Sequence, residues 1–223
     1  MRTLSVVLAI PLVLVSWQWW SDRSTEHVLS PVASAVSGRH VSIDCQGLWA
    51  NLVDALPRHG EVRFDANGFP ERRIFLTHQT CDRLQAFAGR AHHGQLDCLR
   101  SVDWSQSVPL VPRSDCYRAA SETIYALMTL AHEAYHTAGE TDEAVTNCDA
   151  IQAMAYVGTA LGAEWQEAEL AAQAMAALEP LQGGAYGTDR CRAGTELDLH
   201  PETADFPTEH PIVAPQGYRG SRG

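Results

Sequence analysis

Hydrophobic and polar positions divide the chain into three regimes. The first is an apolar run from Leu4 to Val15, preceded by Arg2 and followed by Trp17, Trp19 and Trp20. An apolar core of about twelve residues suits a secretory h-region. With the tryptophans counted as an interfacial belt, it reaches the lower limit of a membrane span. The nearest small-x-small site, Ala33-Ser34-Ala35, lies well downstream. Residues 1–20 therefore read as an uncleaved signal-anchor, with a cleaved signal peptide as the alternative.

The second regime is short and broken. Residues 21–40 are rich in Ser and Ala without clean periodicity and read as a linker. A helix fits 46–56, stopped by Pro57. "EVRF" (61–64) and "RIFLT" (73–77) flank "DANGFPE", whose Asn67-Gly68 suits a turn, giving a β-hairpin or two short strands. Helical stretches fit 80–88 and 92–99. A Pro-broken loop then ends at Ser114 or Asp115, either of which can cap a helix starting there.

In the third regime the period becomes that of a helix. Ile124, Leu127, Met128, Ala131, Tyr135 and Ala138 recur on one face, which predicts a long amphipathic helix over 115–138, ended by Gly139. A second helix fits 142–161. A third fits "EWQEAELAAQAMAALEP", with Pro180 as its stop. "QGGAYG" is a break, the last forty residues are punctuated by Pro and Gly, and a disordered tail is expected over 206–223. The expected fold is mainly α with a small β-hairpin or sheet, in one domain over 41–205.

Composition adds three constraints. At 45% apolar and 19% charged the chain can build a core. It has no lysine, and a net charge of −11 argues against nucleic acid and against an anionic membrane surface as partners. Six cysteines all lie beyond the leader and none forms C-x-x-C. Behind an export signal that points to disulfides, Cys148 included, rather than to a cysteine-ligated zinc.

The chemistry concentrates in "LAHEAYHTAGETDEA" (130–144), which contains His132-Glu133-Ala134-Tyr135-His136. Four residues advance a helix by about 400°, so both imidazoles point the same way one turn apart and can grip one tetrahedral ion. Glu133 lies about 100° round from His132, close enough to act as base on a water without being a ligand. The bland alternative is a solvated helix face with two ordinary histidines. A third protein ligand must come from beyond the helix. In an unbroken helix Glu143 would sit about 10 Å past His136, too far for a zinc–oxygen bond of about 2 Å. Gly139 lets the chain reverse, and Glu143, Asp142 and Glu140 follow it, in that order of preference. Acids in a helix's first turn also simply complement its dipole.

This stretch resembles the active-site helix of the zincin metallopeptidases. In that resemblance His132 and His136 match zinc ligands and Glu133 matches the base. It implies Zn2+, a peptide or protein substrate and an edge strand lining the cleft, for which "RIFLT" is the candidate. "HTAGETD" also fits H-x-x-G-x-x-D, which in metzincins would make Asp142 the ligand. Typical metzincins carry histidine there, whereas gluzincins take a glutamate from the following helix. His78 could touch substrate, although a lone histidine is more often structural. Tyr186 and His200 could reach the cleft and stabilise an oxyanion. His92-His93 read as surface residues.

The leading expectation is a membrane-tethered or secreted zinc metallopeptidase. A zincin-like binding or structural module at the cell surface that keeps the metal without turnover is the second. A disulfide-stapled helical domain with no metal is the third.

Overall fold

The computed structural model describes residues 21–47, 59–89, 96–104, 114–179, 186, 190–203 and 206–208. The apolar leader, most of the helix expected over 46–56, His92-His93 and most of the expected tail lie outside them. Helix α1 covers 21–37 and is followed by strand β1 (Ser42–Cys45). Strands β2 (Gly60–Phe64) and β3 (Pro70–Leu76) come next, then helix α2 (His78–Ala88) and a 3-10 turn at Asp97–Ser101. Helices α3 (Asp115–Ala138), α4 (Glu143–Ala160) and α5 (Trp165–Leu178) complete the domain. The protein is mainly helical with a small three-stranded mixed sheet.

The helical half follows its pattern closely. Ser114 caps α3 by accepting from the Tyr117 amide. Gly139 ends that helix in the left-handed region at φ 106°, with its N–H donating to His136 and the Glu140 N–H donating to Tyr135. These two bonds form a Schellman turn, which glycine enters without the strain a Cβ would cause. Asp142 then caps α4 through the Ala144 and Val145 amides. Helices α3, α4 and α5 pack around buried Leu127, Leu130, Ala131, Ile151, Met154 and Ala172. The contact of α4 with α5 is tight enough that a Cβ on Gly158 would lie 2.8 Å from that of Ala168.

Two expectations need correction. The presumed linker 21–40 is instead helix α1, and Leu29, Val32, Ala33 and Val36 are buried along its inner face. Its polar residues also have defined partners. Glu26, Ser30 and Ser34 accept from the amides of Cys45, Ile43 and Val41 in turn. Four helical residues rise about 6 Å and two strand residues about 6.6 Å, so a side chain every fourth position on α1 meets every second amide of β1. The free edge of β1 is thereby closed. "RIFLT" also changes role. Strand order is β1-β3-β2, with β3 parallel to β1 and antiparallel to β2. β3 is therefore central, and β2 is the other edge strand of the sheet.

The hairpin is as expected, with Gly68 at φ 79° in its turn and Asp65 Oδ1 accepting from Asn67 and Phe69. Toward the end of the 92–99 stretch, the described residues form the 3-10 turn at Asp97–Ser101 rather than an α-helix. All six cysteines are paired: Cys45–Cys81 ties β1 to α2, Cys98–Cys116 ties the 3-10 turn to α3, and Cys148–Cys191 ties α4 to the C-terminal segment. Three disulfides fit an oxidising, extracytoplasmic environment. No helix among the described residues is long and apolar enough to cross a membrane.

Candidate metal centre

Helix α3 carries His132, Glu133 and His136 on its buried side, in its last two turns. The Schellman turn reverses the chain over four residues and delivers Glu143 as the first residue of α4. The His132 and His136 Nε2 atoms lie 2.9 Å apart, and Glu143 Oε2 lies 3.1 Å from the first and 3.5 Å from the second. Around a tetrahedral ion with bonds near 2.0–2.1 Å, ligand atoms stand about 3.3 Å apart. The three separations bracket that edge length.

Other features argue that the three atoms face a common point. The His136 Nδ1 lies 2.7 Å from the Glu140 carbonyl, which can only accept, so the ring carries its proton there and turns a bare Nε2 inward. Burial, followed by the neighbouring His132, holds His136 below the usual imidazole pKa, in the neutral form that binds metals. Glu143 Oε2 is buried yet accepts no well-aligned hydrogen bond. Its carboxyl is held below the ordinary range by the adjacent His132 first, against its partial burial. A carboxylate oxygen beside two ring nitrogens is a donor set that could hold a cation.

The rival acids are committed elsewhere. Asp142 is the α4 cap, and the Glu140 carboxylate accepts from the Thr141 and Asp142 amides. Among the described residues, His132, His136 and Glu143 form the one group of three side chains placed to share an ion.

Glu133 sits beside them, buried, and accepts from the Val62 amide of β2. Burial pushes its carboxyl up to about 7, with His132 opposing and Glu143 and Glu61 adding to the rise. A carboxyl near neutrality is poised to take up and return protons. The same contact explains a glycine. A Cβ on Gly60 would lie 2.9 Å from Thr129, 3.0 Å from Glu133 and 3.0 Å from Leu76, so β2 reaches α3 this closely only without a side chain. Gly60→Val is expected to cost about 1–3 kcal/mol by overpacking. Urea denaturation measures it.

These groups line a cleft of about 760 Å3, within the usual range for ligand sites. Its walls are β2, the face of α3 that runs from Tyr125 to His136, the start of α4, Met175 of α5 and Tyr186. Antiparallel strands alternate between amides that face the partner and amides that face away. The His59 carbonyl, just before β2, accepts from the Thr77 amide just past β3, whereas the Val62 amide turns to Glu133, so alternate backbone groups of β2 face the helix.

The remaining candidates separate. Tyr186 comes to the cleft, its ring 6.3 Å from that of His132 and its carbonyl held by Asn147 Nδ2. His200 does not line the cleft; it pairs with Glu202. His78 bridges Asp82 and Asp22 between α2 and α1, a structural role. Sequence reasoning missed Gly60, Asn147 and β2 as the cleft strand. Asn147 was findable, because it lies one helical turn after Glu143. No family model, curated protein or solved structure matches this chain.

Proposed function

We propose that the protein is a zinc-dependent metallopeptidase. The observation that carries this reading is the convergence of His132, His136 and Glu143 on one point beside a buried Glu133, in a cleft bordered by edge strand β2. Two histidines and a carboxylate are a donor set suited to catalytic zinc with one position left open. When bound there, zinc supplies a Lewis acid that polarises a carbonyl and acidifies a water molecule. Glu133 then takes the water's proton and returns it to the departing amine, which its near-neutral carboxyl suits. An extended peptide would lie along edge strand β2, which borders the cleft. Tyr186, whose ring lies 6.3 Å from that of His132, would donate to the scissile carbonyl.

The finer localisation belongs to the same proposal: residues 1–20 tether the domain to the outside of a membrane. The test is elemental analysis together with peptide hydrolysis on the exported protein. About one zinc per chain is expected, with hydrolysis lost on chelation and restored by zinc. Stoichiometric metal with no cleavage across a broad peptide library would favour a binding module instead.

A further inference from the structure

We propose that Asn147 is a positioning residue for turnover: from α4 it sets Tyr186 against the metal centre without entering the metal shell. This rests on the peptidase reading and deepens it at the same site. Glu143 and Asn147 stand four residues apart on α4, about 400° and 6 Å, so they share the face that lines the cleft. Asn147 is buried, and its Nδ2 donates to the Tyr186 carbonyl at 2.7 Å. Cys148 and Gln152 share a second face, about 100° round from the first. Cys148 is bonded to Cys191. Gln152 Nε2 donates to the Leu197 carbonyl at 2.9 Å, and its Oε1 accepts from the Leu199 amide at 2.8 Å. One helix therefore carries a candidate metal ligand and fastens the C-terminal segment at residues 186, 191, 197 and 199.

These fastenings have different tasks. The disulfide and Gln152 hold the segment on the flank of α4, away from the face that carries Glu143. Tyr186 lies five residues before Cys191, a stretch that can reach about 17 Å when extended. Packing covers only half of the tyrosine, which is 49% exposed. The Asn147 bond narrows its range to that of one hydrogen bond. It refers Tyr186 to the same helical turn that places Glu143, and the tyrosine ring stands 6.3 Å from that of His132. Misplacing such a group by about 1 Å can cost as much as a hundredfold in rate. Loss of Asn147 therefore acts on the reacting geometry and spares the three metal-binding side chains.

The experiment uses the zinc-loaded, exported full-length protein and one peptide that it cuts. Asn147→Ala and Asn147→Leu are compared, because leucine keeps most of the side chain's volume and lacks only the donor. Each is expected to lower kcat by roughly tenfold to a hundredfold, with KM and zinc affinity within about threefold of the parent. Tyr186→Phe, which removes only the hydroxyl, is expected to lower kcat by at least tenfold. On the Tyr186→Phe background, either change at Asn147 should cost less than about threefold more, since the group it positions is already gone. A purely structural asparagine would cost the same on both backgrounds. Additive losses, full activity in Tyr186→Phe, or zinc stripped by both Asn147 variants would overturn this inference while leaving the peptidase reading standing. Zinc-loaded parent protein that cuts no peptide overturns both.

Discussion

Glu133→Gln is expected to keep its zinc and lose about two to four orders of magnitude in peptide hydrolysis, the range of a general base removed from a positioned water. Glutamine is the informative replacement because Glu133 has a second task, accepting from the Val62 amide beside Gly60. Alanine leaves that amide unpaired at a buried contact, which costs about 1–3 kcal/mol and mixes a folding defect with a chemical one. Glutamine retains an acceptor and removes only the group that exchanges protons. Metal content and single-turnover rates on the same preparation separate the two. Hydrolysis retained within tenfold by the glutamine variant removes Glu133 from the chemistry.

Glu143→Ala is expected to weaken zinc binding more than about a hundredfold, exceeding the tenfold to hundredfold typical of residues that merely support ligands. The comparison that makes this specific is Asp142→Ala. Asp142 accepts from two amides at the start of α4, and its loss should cost about 1 kcal/mol of stability while leaving the affinity nearly intact. Competition titration against a chromophoric chelator reads both variants. If Asp142→Ala strips the metal and Glu143→Ala does not, the shell is completed by the cap residue and Glu143 is only its neighbour.

The elements legible in sequence were those whose signals are local. α3, α4 and α5 show helical spacing over more than three turns and are bounded by Ser114, Gly139, Asp142 and Pro180. The hairpin has its turn glycine. α1 carried a usable signal too, since Leu29, Val32, Ala33 and Val36 follow i, i+3, i+4, i+7. Pro31 and the serines obscured it, and those serines make sense only once β1 is present to donate to them. β1 is four residues long and pairs in parallel with a strand just over thirty residues away, which no window on the sequence detects. Missing β1 made β3 look like an edge and concealed the role of β2.

The candidate site was more legible than the sheet. His132, Glu133 and His136 lie within one turn and a bit of helix, and Gly139 announced the reversal that brings Glu143 back beside the two histidines. The features that escaped are set by tertiary approach: Gly60 against α3, and Asn147, which holds the Tyr186 carbonyl at the cleft.

The four-residue reversal after α3 also has a consequence for the denatured chain. The three candidate ligands span twelve consecutive residues, so an unfolded segment closes only a short loop to bring them together, and loop closure costs little at that length. Zinc would therefore retain affinity for the unfolded ensemble, and any binding to that ensemble subtracts from the stabilisation that mass action gives the native state. Added metal would raise Tm less than native-state affinity alone implies. The cross-links among distant segments, Cys45–Cys81 and Cys148–Cys191, would then account for more of this domain's resistance to unfolding than its ion does.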